Sequence, residues 1–326
     1  MNTIVKLCTL ATVFLASGVL SATTLPGPLV DGAWLEKNLA GVTILDVRND
    51  IKSFTTAPTY SRNMKTGQQR LTRIGGHIPG ALITSYKHVR RTRQIDGDRV
   101  TRMLPEQKDF EYFMQLVGLN KDSTVVIVSK GESVGDITMA TRLYWQLKYY
   151  GQDNLAILDG GMAGWLMDKR EVSTDGKRPP QGNWKITTER KELLATGDEV
   201  AAVVETGTAQ LVDTRSLALY LGTYKKSYVY SKGHIPGAKP FPNEMLTYPS
   251  APAVFTPLKN LRTLAAELKI DTDKNIITYC NSGHLASGSW FIFSELMGNK
   301  NVKLYDGSMH QWTLEKRPVT ALKLEL

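Results

Sequence analysis

Four blocks of sequence occur twice in this 326-residue chain, in the same order each time, and this constrains its fold more than any other feature. Ile44–Arg48 (ILDVR) matches Leu211–Arg215 (LVDTR). Gly76–Ala81 and Gly233–Ala238 are the same six residues, GHIPGA. Thr124–Val128 (TVVIV) matches Asn275–Tyr279 (NIITY), and Leu158–Trp165 (LDGGMAGW) matches Tyr305–Trp312 (YDGSMHQW). A unit this long is a duplicated domain and not a solenoid repeat. The separation between matched blocks shrinks along the chain, so the first copy carries the longer loops. The stretch 171–184 (EVSTDGKRPPQGNW) is rich in Pro, Gly and charge and reads as a connection. With 173–184 as the linker, domain one spans 26–172 and domain two spans 185–326.

Within each copy, short apolar runs alternate with helical patterns. Leu211–Thr214 and Ile276–Tyr279 read as buried strands. Leu258–Leu268 carries apolar residues near a 3.6 period, and a second helix takes in Trp290, Phe291, Phe293, Leu296 and Met297 after Gly283. The GHIPGA block reads as a turn leading into a strand. Strands alternating with helices predict an α/β fold, each domain a parallel sheet flanked by helices.

Composition narrows the function. With 42% hydrophobic and 22% charged residues the chain can fill cores and is not a disordered one. The net charge of +9 is scattered, apart from a cluster at Arg90, Arg91, Arg93, Arg99 and Arg102. No aromatic-interleaved basic stripe accompanies it, which argues against nucleic acid and for small anionic substrates. No Cys/His metal spacing, GxGxxG or P-loop is present, so neither a metal nor a cofactor is expected.

Lys6 precedes an apolar run, Leu7–Leu20, which is followed by the small residues Ser21 and Ala22. This pattern predicts a signal peptide over 1–22 and a periplasmic or secreted protein; the run is short for a membrane span, so no stable span is expected after processing. Processing would remove Cys8 and leave Cys280 as the sole cysteine. A lone thiol in an oxidising compartment has no internal partner, and is either buried and inert or reactive.

The surroundings of Cys280 favour reactivity. It ends the strand Ile276–Tyr279, and Asn281, Ser282, Gly283, His284 and Leu285 lead into the next helix. Such a loop can aim several backbone N–H groups at one point, where an anion is favoured. A thiolate held there is expected to have a pKa below the ~8.5 of a free thiol and to act as a nucleophile. Phosphatases with a comparable loop place Arg six residues after the cysteine; here that residue is Ala286, and no guanidinium stands ready for a phosphate.

The paired Asp-x-Arg, GHIPGA and Asp-Gly-Gly/Ser-x-x-x-Trp blocks resemble the two-domain rhodanese sulfurtransferases over about 26–320. The resemblance implies two rhodanese-like domains, the second catalytic, with Cys280 carrying a sulfane sulfur as a persulfide. It implies a small anionic donor of the thiosulfate or 3-mercaptopyruvate class and a thiol or cyanide acceptor. Asn281, Ser282, Gly283, His284, Leu285 and Arg215 become candidate substrate-binding residues. In domain one the matching strand ends at Ser129, so that copy is expected to be inactive. The match is incomplete: the family's second donor arginine is replaced by Leu219, and the loop Cys-Asn-Ser-Gly-His-Leu is neither of the usual forms. Ser282 matches the mercaptopyruvate serine and His77 the histidine paired with it, but no acidic residue precedes His77 to complete a relay. The donor therefore stays open, and so does a non-catalytic persulfide carrier that hands sulfur to a partner protein. Asp213 and Arg215 recur as Asp46 and Arg48, and His234 as His77, which favours structural roles for these pairs.

Overall fold

The computed structural model describes residues 23–322; the expected signal peptide, 1–22, lies outside the described residues. Domain one contains β1 (Leu29–Val30), β2 (Thr43–Arg48), β3 (Thr59–Arg62), β4 (Gln69–Arg73), β5 (Leu82–Ser85), β6 (Arg91–Ile95), β7 (Asp98–Met103), β8 (Val125–Val128) and β9 (Leu155–Leu158). Its helices are α1 (Gly32–Asn38), α2 (Gln107–Val117), α3 (Val134–Tyr149) and α4 (Gly161–Met167). Domain two contains β10 (Leu194–Ala195), β11 (Gln210–Asp213), β12 (Lys239–Pro240), β13 (Ile276–Tyr279) and β14 (Val302–Tyr305). Its helices are α5 (Gly197–Thr206), α6 (Leu217–Leu221), α7 (Leu258–Glu267), α8 (Ala286–Phe291) and α9 (Ser308–Leu314).

The duplication extends to topology. The first sheet runs β1-β9-β8-β2-β5 and the second β10-β14-β13-β11-β12, and every pairing in both is parallel. All four residues of β8, β9 and β13 are buried. A parallel strand covered on both faces can be apolar without alternation, which is why these read as continuous runs in the sequence. The longer loops of the first copy contain two antiparallel hairpins, β3–β4 and β6–β7.

Local chemistry sets the helix ends. Asp31 accepts from the Trp34 N–H at 2.7 Å at the start of α1, and Thr196 with Glu199 forms a reciprocal cap on α5. Helix α2 stops at Gly118, whose φ of 98° suits glycine. The helix expected through Trp290–Met297 forms as α8, continued by a π-type turn over Ile292–Leu296.

The linker differs from its expectation. Trp184 is 1% exposed, its indole donates to Gln152 at 3.0 Å and its ring meets Phe110 edge-on. The backbone stays on domain one to Arg190, whose N–H donates to the Tyr149 carbonyl at 2.8 Å. The attachment of domain two therefore begins nearer 191 than 185: a large indole inside a Pro- and Gly-rich stretch anchors it to the nearest core.

The domains share a core. Most of α3 is buried, and it packs on α8, where small residues let the helices approach. A Cβ on Gly288 would lie 2.7 Å from Leu246 and 2.8 Å from Thr138. Each domain also reaches into the other by the same device. The Phe255 N–H of domain two donates to Asp159 at 2.9 Å, and the Leu104 N–H of domain one donates to Asp306 at 2.6 Å. These two aspartates occupy the same place in the repeat, so the domains exchange loops in a pseudo-symmetric manner. On the domain-one side, Ala253 N–H also binds the Gly131 carbonyl, and Pro252 and Val254 cover Gly160. A segment of domain two is thereby packed against the loop that follows Ser129.

Candidate active site

Cys280 follows β13 as Ser129 follows β8. The equivalence is geometric: Met309 N–H donates to the Cys280 carbonyl at 3.1 Å and Met162 N–H to the Ser129 carbonyl at 2.8 Å. Cys280 is a free thiol, 1% exposed, at the end of the sheet where parallel α/β folds place their ligands.

The loop after it is held from below by Ser308. The Ser308 hydroxyl accepts from the Cys280 N–H at 3.0 Å and the Gly283 N–H at 3.1 Å, and donates to the Tyr305 carbonyl at 2.8 Å. Gly283 is therefore corrected as an anion donor: its N–H is committed to Ser308. Among the described residues, the N–H groups of Asn281, Ser282, His284 and Leu285 have no protein acceptor. Gly283 is required for shape. Its φ is +69°, and a Cβ there would collide with both Arg142 Nη1 and Asp306 Oδ1.

Those two atoms belong to a buried ion pair across the domain boundary. Arg142, on α3, lies 2.5 Å from Asp306 and donates to the Gly283 carbonyl at 3.1 Å; neither side chain is more than 2% exposed. Domain one thus supports the cysteine loop directly.

His284, expected among the substrate-binding residues, is instead turned toward domain one. Its Nε2 faces the Gly135 carbonyl at 3.1 Å and the Thr138 hydroxyl at 3.0 Å, both in domain one. Because the carbonyl only accepts, Nε2 carries the proton. Burial, and then the nearby Arg90, push the imidazole down to about 3, so it is neutral and serves as a tie between domains.

Arg215 is 1% exposed and grips Asp213, with Nε at 2.9 Å and Nη2 at 2.6 Å, while Nη2 also donates to the Gly233 carbonyl at 2.8 Å. Arg48 holds Asp46 and the Gly76 carbonyl in the same way. Two of the three Arg215 nitrogens thus serve the scaffold, although its charge lies within reach of Cys280. His77 and His234 are equivalent too: each Nδ1 faces a carbonyl at 2.8 Å, Phe54 and Tyr220 respectively, and each ring stacks on that same residue. Leu219 is buried in α6. Lys225, in the same domain, donates to the Val229 carbonyl at 2.7 Å.

The residues that close the site come mostly from domain one, and their sequence positions do not point to it. Tyr86 is fully buried and lies within electrostatic reach of Cys280; burial raises its hydroxyl to about 12, so it remains an O–H donor. Tyr228 faces Ser282. Arg90 stacks over Tyr86 with Cζ 4.3 Å from the ring centre, and Arg102 over Tyr228 at 4.0 Å. The basic cluster noted in the sequence lies on the β6–β7 hairpin and its approach, and two of its members, Arg90 and Arg102, stack on tyrosines beside the cysteine loop. Ser308 had a detectable signal: it stands where the otherwise matching block of domain one has Gly161.

Comparison with known proteins agrees with this geometry. The model of the rhodanese-like domain matches the chain twice, at 31–168 and 196–315. A putative thiosulfate sulfurtransferase of Saccharopolyspora erythraea is 30% identical over 87% of this chain and 92% of its own. The sulfur carrier protein TtuD of Thermus thermophilus is 29% identical over 88% and 94%. The crystal structure of SseA from Escherichia coli, described as a 3-mercaptopyruvate sulfotransferase with the rhodanese fold, has a TM-score of 0.68 at 25% identity, covering 88% of this chain and 99% of that one. The chain belongs to the rhodanese family, as a two-domain sulfurtransferase.

Proposed function

We propose that the protein carries a sulfane sulfur from a small anionic donor to a thiol or cyanide as a persulfide on Cys280. The observation that carries this reading is the position of Cys280 at the end of β13, followed by four loop N–H groups without a protein acceptor and bordered by two tyrosines that each carry an arginine of domain one on their face. With thiosulfate, the Cys280 thiolate attacks the outer sulfur. The new S–S bond forms as the old one breaks, and sulfite leaves with the electron pair. The terminal sulfur of the persulfide then bears the negative charge, and the loop N–H groups stabilise it as an oxyanion hole stabilises oxygen. Cyanide attacks that sulfur, thiocyanate leaves, and the thiolate is restored. Two half-reactions through one intermediate require ping-pong kinetics.

The N-terminal pattern of Lys6, the apolar run Leu7–Leu20 and the small Ser21 and Ala22 supports an exported protein cleaved near residue 22, with Cys280 as its only thiol. No helix among the described residues is long and apolar enough to cross a membrane.

Steady-state assays with thiosulfate and with 3-mercaptopyruvate, cyanide as acceptor, test the proposal. Turnover with parallel double-reciprocal lines, lost in Cys280→Ser, is expected. Stoichiometric sulfur loading without turnover would make the protein a carrier, and an unreactive Cys280 would overturn both readings. Intact mass of the protein from its native host reads the cleavage point and one added sulfur atom together.

A further inference from the structure

Charge around Cys280 does not balance. Asp306 neutralises Arg142 and Asp213 neutralises Arg215. Arg90 and Arg102 have no carboxylate partner among the described residues. Neither is a freely solvated surface charge, because each guanidinium lies on the face of a tyrosine that borders the cysteine loop. Buried donors nearby also lack acceptors: the Tyr86 hydroxyl, Arg90 Nε, and Nε and Nη2 of Arg142. Buried donors without acceptors are uncommon in folded proteins, and two of these, the Tyr86 hydroxyl and Arg90 Nε, belong to side chains that stack on one another.

The backbone is shaped to present Arg102. The β6–β7 pairing advances from Arg91↔Met103 to Arg93↔Val100, leaving Thr101 and Arg102 in a bulge, and Arg102 adopts φ +68°. Bulges re-aim side chains, and a non-glycine residue at positive φ is held there by its surroundings. The strained turn places Arg102 on Tyr228.

We infer that Arg90 and Arg102 of domain one form the anion subsite for the donor, receiving its carboxylate or sulfonate end while its sulfur faces Cys280. This deepens the proposed sulfurtransferase reading and rests on it for the nature of the anion. Domain two supplies the nucleophile and domain one the charge recognition. Arginine can meet two oxygens of such a group at once, and the ring beneath each guanidinium fixes its plane.

The test uses two alkylating probes on the full chain at low salt: iodoacetate, which is anionic, and iodoacetamide, which is neutral. The wild type is expected to react with iodoacetate faster relative to iodoacetamide than free cysteine does. Arg90→Gln with Arg102→Gln should lower the ratio of the iodoacetate to the iodoacetamide rate by about tenfold, the scale of local electrostatic attraction; the ratio is read because a change in the ionised fraction of the thiol moves both rates together. The Lys variants should recover part of the preference. An unchanged ratio in the Gln double variant, with iodoacetamide reactivity intact, overturns the subsite. If both rates collapse in the Gln variant, the Lys variants decide: retention of the anion preference supports the subsite, and its loss despite intact iodoacetamide reactivity overturns it. Donor KM separates the sources, since the variant should raise KM for whichever of thiosulfate and 3-mercaptopyruvate the protein uses. A lost alkylation preference in a protein that turns over neither donor keeps the subsite and removes the sulfurtransferase reading.

Discussion

Nη1 of Arg142 in domain one lies 2.5 Å from Oδ1 of Asp306 in domain two, and the same guanidinium donates to the carbonyl of Gly283, three residues after the cysteine. A buried pair of this kind gives geometric control more than net stability, because two charges leave water to form it. Asp306→Asn or Arg142→Leu should each cost about 3–5 kcal/mol by leaving one group uncompensated. The double replacement should recover part of that loss. Urea unfolding of the four proteins in a double-mutant cycle measures the coupling.

Ser308 holds the loop amides of Cys280 and Gly283 together. Ser308→Ala should cost about 1–3 kcal/mol, from two buried donors left without an acceptor. Ser308→Gly copies Gly161 of domain one, relieves a backbone held at φ +50°, and should cost less stability while still loosening the loop. Both should slow turnover; denaturant melts beside kcat separate the two effects.

Gly283→Ala meets the ion pair and a positive φ at once. The backbone strain alone should cost about 1–3 kcal/mol, and displacement of Arg142 adds to it. Loss of activity together with a lowered melting temperature is expected.

His284 is held neutral, with its imidazole pushed down to about 3. Between about pH 6.5, where the histidine of an unfolded chain takes up a proton, and the lowered folded value, only the unfolded state is protonated. Stability should fall as the pH drops through this window and level off above it. His284→Gln should flatten that slope in urea titrations run from pH 7 to pH 4. The pH–rate profile above pH 5 should show no inflection due to this imidazole.

Much of the architecture is legible in the order of the residues. The GHIPGA repeat, the apolar runs that form β11 and β13, and the helix at Leu258 report short-range chemistry that one domain satisfies within itself. Cys280 is legible because it ends a buried strand and is followed by small residues. The linker is misleading because one buried Trp184 outweighs its Pro- and Gly-rich neighbours. His284 and Gly283 take roles other than those expected because their partners, Gly135 and Ser308, lie far from them along the chain.

The sequence by itself determined that the chain is a duplicated α/β unit with one cysteine placed to react. Repetition, hydrophobic period and strand-end position are encoded within each copy. Only the tertiary structure decided what surrounds that cysteine. Tyr86 reaches the cysteine, and Arg142 its loop, across a domain boundary, with Arg90 and Arg102 stacked on the tyrosines beside them; such contacts depend on how two cores dock, which leaves no periodic trace along the chain.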